Sequence, residues 1–207
     1  MELFKTWLGV GFHHIVGIEA QDHILFLVAL TAAYFLKDWK KILCLATAFT
    51  IGHSLTLVLV TYQIIRIPSS LVENWLIPLS IAFTALLNVL WYKDNEAKFM
   101  WQKYIIASFF GLVHGSAFSN QLSILLKNNA SEWFGESSEQ STSIILPLLA
   151  FNLGIELGQI LIIVVLLVLA FIFVELLKSQ AKTWRIFLSG IAFGVALSIL
   201  LERVFAQ

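Results

Sequence analysis

"IILPLLAFNLGIELGQILIIVVLLVLAFIFVE", residues 144–175, decides the class of fold, because only Glu156 and Glu175 in this run are charged. A bilayer core of about 30 Å is crossed by roughly 20 apolar helical residues, so the run is a membrane span with residues to spare. The rest of the chain agrees. Of its 207 residues 59% are hydrophobic and 13% charged, and its mean hydropathy of +0.87 is far from the balance of a soluble domain. Formal net charge is zero and no basic patch stands out, so membrane lipid is an expected partner and nucleic acid is not. Cys44 is the single cysteine, which excludes an internal disulfide framework and a CxxC motif. The N-terminal "MELFKTWLGVGFHH" has a broken apolar run and no small-residue cleavage site, and reads as mature sequence.

The expected fold is an all-α integral membrane protein, a polytopic helical bundle forming a single transmembrane domain over 1–207. Five segments meet the span length: about 41–64, 72–92, 103–126, 144–175 and 184–203. A sixth, about 22–37, is short but strongly apolar. The seventh, 3–19, is interrupted by Lys5 and the His13–His14 pair, and either spans or half-inserts. Six full transmembrane helices plus this N-terminal one are therefore expected, six to seven in total. Lys37, Lys40 and Lys41, then Lys93, Lys98 and Lys103, then Lys178, Lys182 and Arg185 fall in alternate connections, which the positive-inside rule makes cytoplasmic. The intervening connections carry Arg66 and Lys127, and Asp22 and the 127–143 loop with Glu132, Glu136 and Glu139 then lie on the outer side. Trp39, Trp75, Trp91, Trp101 and Trp184 sit near span ends, as an aromatic belt would.

A charge at bilayer depth costs about 2.5–3.5 kcal/mol on insertion scales, so intramembrane polar residues call for a reason. They concentrate at Asp22 and His23, in "FTIGHS" (49–54), in "GLVHGSAFSN" (111–120) and in "FNLGIELGQ" (151–159). Asn152, Glu156 and Gln159 are spaced i, i+4, i+7 and form one polar stripe that faces protein or water, not lipid. Gly154 and Gly158 flank Glu156, and Gly111 and Gly115 flank His114, as GxxxG pairs that let backbones approach closely. These pairs suit packing within or between chains, so homo-oligomerisation stays open. Counted inward from the outer ends, His53, His114 and Glu156 lie roughly 8–13 residues into their spans, near the midplane or in the outer half. Neutral imidazoles and carboxylates converging at one depth suit a borderline divalent metal ion, Ni²⁺, Co²⁺ or Zn²⁺. Soft ligands are scarce, with Met1, Met100 and Cys44 badly placed.

Blander roles fit some of these residues. Any one buried histidine can serve an interhelical hydrogen bond. His13 points about 100° away from His14 on a helix. Glu19 reads as solvated near the headgroups, Glu73 and Asn74 as a helix start, and Asn88 as interhelical glue. Ser54 stands beside His53, but residues at i and i+1 do not face each other, which argues against a serine nucleophile and leaves Ser54 a supporting role.

Taken together, "GFHH", "AQDHILFLVAL", "FTIGHSLTL", "GLVHGSAFSN" and "FNLGIELGQ" resemble, in order and over about residues 7–165, the HupE/UreJ family of small bacterial membrane proteins, particularly its short Bacteroidetes-like members. The resemblance implies a multi-pass protein of the bacterial inner (cytoplasmic) membrane and a nickel or cobalt permease tied to hydrogenase and urease maturation. It places the family's N-terminal histidine and aspartate motif on His14, Asp22 and His23, and matches family positions at His53, His114, Glu156 and Gln159. The motif here reads "HHIVGIEAQDH", without the proline of a pattern close to H-P-x-x-G-x-D-H and with extra residues before the aspartate.

The leading functional expectation is a divalent-metal permease, for nickel or cobalt and within reach of zinc. Its metal ligands are His14, Asp22, His23, His53, His114 and Glu156, with Ser54, Asn152 and Gln159 supporting. No comparable polar residue follows position 160 near the cytoplasmic end, so no exit path is evident. The alternative is an enzyme, an intramembrane zinc-dependent hydrolase acting on a lipid or membrane peptide, with Asp22 or Glu156 as general base. A third reading is a scaffold whose histidines only hold helices together, and it predicts no bound metal.

Overall fold

The computed structural model describes residues 1–62, 64–65, 68–90, 100–128 and 140–205. Arg66, Trp91, Lys93, Lys98, Glu132, Glu136 and Glu139 lie outside the described residues, as does the side chain of Lys127. Regular structure among the described residues is helical: α1 (Glu2–Val16), α2 (Gln21–Thr31), α3 (Trp39–Thr61), α4 (Ile77–Leu90), α5 (Met100–Asn128), α6 (Gln140–Phe171) and α7 (Ala181–Phe205). A 3₁₀ turn, Leu36–Asp38, leads into α3. A π-helical stretch, Val72–Leu76, leads into α4, and another, Ile172–Leu176, ends α6.

Among the described residues four helices are long and apolar enough to cross a bilayer: Leu36–Val60, Val72–Leu90, Ile145–Leu176 and Ala181–Phe205. The pair Glu2–Val16 and Gln21–Thr31 passes the same test jointly, bent by 66° at the break, and makes a fifth crossing if it is one broken span. The chain is thus a multi-pass membrane protein. The expected 22–37 span is shorter than its hydropathy suggests. Its helix stops at Thr31 after 11 residues, about 16 Å at 1.5 Å per residue, because apolar composition persists beyond the point where the helical hydrogen-bond ladder ends.

Glycines set how the bundle closes. A Cβ on Gly111 would collide with the Phe49 carbonyl oxygen, and one on Gly154 with the Leu8 carbonyl oxygen, so at both places two helix backbones touch. Gly111 faces Phe49 while Gly115 faces His53, so α3 and α5 run in the same direction. Gly154 faces Leu8 and Gly158 faces Ile15, so α1 and α6 are also parallel. These two pairs are the most extensive contacts in the bundle, with α4 against α7 next. Since α6 leads toward Lys178, its parallel partner α1 also points toward the lysine-rich end, and α2 carries the chain on to Lys37. That direction fits one broken crossing.

Lys37, Lys103 and the turn between α6 and α7 come together at this end. Lys103 Nζ lies 5.1 Å from the Tyr34 ring centroid, and Phe35, Leu36 and Lys37 share a groove with Phe171, Glu175 and Ala181. Trp39 and Trp101 are exposed, as belt residues would be. Trp184 is not: it is buried with Ala32, Ala170 and Leu188 and packs on Phe173, because α7 turns this position toward α2 and α6. Asn88 donates a hydrogen bond from Nδ2 to the Ala29 carbonyl, tying α4 to α2.

Candidate metal centre

Four helices each deliver one histidine to a common point. The break at residues 17–20 turns α2 by 66° from the line of α1 and brings His14 and His23 to a ring-centroid separation of 4.7 Å. His53 stands 5.8 Å from His14 and 6.1 Å from His23, and His114 stands 5.2 Å from His23. The glycine contacts explain this registry, since Gly111 and Gly115 bring the His114 turn of α5 directly against the His53 turn of α3. One nitrogen from each of His14, His23 and His53 lies within 4.8 Å of the others. Metal–imidazole bonds of about 2.0–2.1 Å allow donors to be up to about 4.2 Å apart, so small side-chain rotations would close the trio on one ion.

The hydrogen bonds aim the lone pairs. The Nδ1–H of His114 donates to the Phe110 carbonyl at 2.9 Å, leaving Nε2 as acceptor. The Nδ1–H of His23 donates to Asp22 Oδ1 at 2.9 Å, and the His23 backbone N–H donates to the same oxygen at 2.8 Å. A carboxylate behind the second nitrogen fixes tautomer and ring orientation, as in many histidine metal sites. Buried and without a hydrogen-bond partner are Nε2 of His14, His23 and His114 and both ring nitrogens of His53. Buried ring nitrogens without a hydrogen-bond partner are costly unless a ligand engages them, so these residues fit a metal ion.

Aromatic rings wall the cluster. Phe118 lies 4.0 Å and Phe151 5.6 Å from His14, with Phe118 and Phe151 stacked at 5.0 Å. Phe49 and Phe26 pack on His114 at 5.2 and 5.4 Å. Asp22 stands at the edge of the cluster, its side chain 33% exposed beside a His23 side chain 6% exposed.

A family model described as HupE / UreJ protein matches residues 1–203. The chain belongs to the HupE/UreJ family. No curated protein and no solved structure matches it. In this HupE/UreJ chain the motifs quoted above meet in space: "GFHH" supplies His14, "AQDH" supplies His23, "FTIGHS" supplies His53, "GLVHGS" supplies His114, and "FNLGIELGQ" supplies the Phe151 wall.

The remaining expected site residues sit elsewhere. Glu156 accepts a hydrogen bond from Thr47 Oγ1 at 2.6 Å, and Gln159 accepts one from Thr50 Oγ1 at 3.0 Å, both across the α3–α6 contact. Asn152 Oδ1 is buried without a partner. The Ser54 hydroxyl donates to the Thr50 carbonyl at 2.7 Å and so turns along its own helix. His13 and Glu19 are exposed. Sequence reasoning missed Thr47 and Thr50. Their spacing, i, i+3, i+6 with His53, was available as a signal, but threonine is common enough in membrane helices that the stripe did not stand out.

Proposed function

We propose that this protein is a divalent transition-metal permease of the bacterial inner membrane, carrying nickel or cobalt and able to accept zinc. The observation that supports it best is the cluster of four histidines, His23, His53 and His114 buried and His14 half-buried, each with a buried ring nitrogen that lacks a hydrogen-bond partner. Neutral imidazoles favour borderline metals over Mg²⁺ and Ca²⁺, and no thiol joins them, Cys44 being exposed on α3. His14, His23 and His53 are the primary ligands and His114 the fourth. Asp22 holds His23 and draws the cation inward from the outer side. Ser54, Asn152 and Gln159 support the α3–α6 wall. With α1–α2 as one broken crossing and α5 as a further span, the chain crosses six times, and its break beside the ligands resembles the discontinuous helices of transporter sites. A hydrolase needs a carboxylate base free at the metal, whereas Asp22 is engaged by His23 and Glu156 by Thr47. No described geometry favours that reading.

The test is metal flux into proteoliposomes holding a metal-quenched dye, with Ni²⁺, Co²⁺ and Zn²⁺ offered separately. Wild-type protein is expected to admit Ni²⁺ or Co²⁺ well above empty vesicles, and His53→Ala to fall to the empty-vesicle rate. Wild-type flux equal to that of empty vesicles defeats the permease reading, and zinc retained one per chain together with lipid or peptide hydrolysis would put the hydrolase in its place.

A further inference from the structure

Below the imidazole cluster a second polar level crosses the α3–α6 contact. On α3, His53, Thr50 and Thr47 descend at three-residue intervals toward the lysine-rich end, on one helical face. On α6, Asn152, Glu156 and Gln159 form the facing stripe, knitted to α3 by the Thr47–Glu156 and Thr50–Gln159 hydrogen bonds. Two independent counts place this level relative to the metal centre. From His53 to Thr47 is six residues, and from Phe151, which packs on His14 and His53, to Glu156 is five, or about 8–9 Å along either axis.

Glu156 is the sole charged residue of α6, and the ion pairs of the described residues, Lys5–Glu2, His23–Asp22 and Lys41–Asp38, do not include it. An intramembrane carboxylate without a counter-charge calls for a functional partner. The same two stripes carry further oxygen-bearing groups: the Thr47 and Thr50 hydroxyls, the amide of Gln159, buried at 1% exposure, and Asn152, whose Oδ1 is buried and unpartnered. Thr47 is exposed and Glu156 half-buried, so this level opens at the edge of the α3–α6 contact.

We infer that Glu156, with Thr47, Thr50, Gln159 and Asn152, forms a second, oxygen-lined cation station that receives a divalent cation from the imidazole cluster on its way to the lysine-rich side. The use of the station as a route rests on the permease reading; its capacity to bind a cation does not. Oxygen donors hold a borderline metal less tightly than imidazoles do, and conduction needs a site weak enough to leave. The station supplies the inward step that hydropathy and motif reading leave open.

The experiment is Co²⁺ titration followed by visible absorption, on the full chain in nanodiscs, paired with Co²⁺ flux in proteoliposomes. Wild type is expected to bind two Co²⁺ per chain, the first tightly with a strong imidazole-type band, the second weakly with a pale octahedral spectrum. Glu156→Gln, which preserves shape and can still accept from Thr47, is expected to keep the first band unchanged, lose the second Co²⁺ and carry at least tenfold less flux; Glu156→Asp recovers part of both. A purely structural Glu156 would leave stoichiometry and flux untouched in the Gln variant. A wild type that binds only the tight, imidazole-type Co²⁺, or a Glu156→Gln variant that keeps the weak Co²⁺ or carries at the wild-type rate, overturns the inference. The two readings fail separately: a wild type lacking the imidazole band and flux, but holding a weak Co²⁺ that Glu156→Gln removes, leaves the station standing and removes the permease.

Discussion

Replacing Asp22 by alanine separates a ligand from a residue that positions one. Asp22 Oδ1 accepts two hydrogen bonds from His23, from Nδ1 at 2.9 Å and from the backbone N–H at 2.8 Å, so the carboxylate stands behind the imidazole whose Nε2 faces the cluster. Losing such an outer partner typically lowers metal affinity by about 10–100-fold. At 1.4 kcal/mol per tenfold, that is about 1.4–2.8 kcal/mol. Asp22→Asn retains an acceptor oxygen for Nδ1–H and should sit at the lower end, near tenfold. His23→Ala removes a donor outright and should cost more than either. The side chain of Asp22 is one-third exposed, so truncation leaves no sealed cavity to confuse the result. Affinities are read by Co²⁺ titration against a chelator of known strength, with wild type and the three variants in the same detergent. Unchanged affinity in Asp22→Ala would refute the positioning role. A loss as severe as that of His23→Ala would refute it in the other direction, by making Asp22 a direct ligand.

Gly111→Ala places a Cβ against the Phe49 carbonyl and His53 amide, so α3 and α5 must part; overpacking of this kind costs about 1–3 kcal/mol, and thermal melting should show a lower midpoint together with weaker Co²⁺ binding. Gly190→Ala, where no neighbouring atom lies within 4 Å, is the matched control and should melt as wild type does. Asn88→Leu removes the bond to the Ala29 carbonyl and should lower stability by about 0.6 kcal/mol, up to about 1.7, with the Co²⁺ spectrum and affinity unchanged.

Class, polar stripes and close-packing glycines were legible in the sequence because each is a property of a short window. Hydropathy over 20 residues marks a span, and 3.6-residue periodicity puts Asn152, Glu156 and Gln159 on one face, which does meet α3. Gly111, Gly115, Gly154 and Gly158 were readable as contact points, and each would drive a Cβ into a neighbouring helix. His14, His23, His53 and His114 were identifiable as costly intramembrane groups, and depth counting put several of them at similar levels.

What lay beyond the sequence is what depends on which helices meet and how the chain bends. Hydropathy does not register a break in the hydrogen-bond ladder, so the residue 17–20 bend and the early end of α2 at Thr31 were invisible, although that bend is what sets His14 against His23. Asp22 and His23 stand side by side in the sequence, and the side-chain geometry at the start of α2 sets the Asp22 oxygen against His23 Nδ1. Trp184 has the composition of a belt residue and is buried, because its exposure depends on the rotation of α7 against α2 and α6. Thr47 and Thr50 acquired meaning only once Glu156 and Gln159 faced them, for a hydroxyl on a membrane helix can always turn to its own backbone, as Thr50 also does toward the Ala46 carbonyl at 3.1 Å, and only the neighbouring helix supplies a second acceptor.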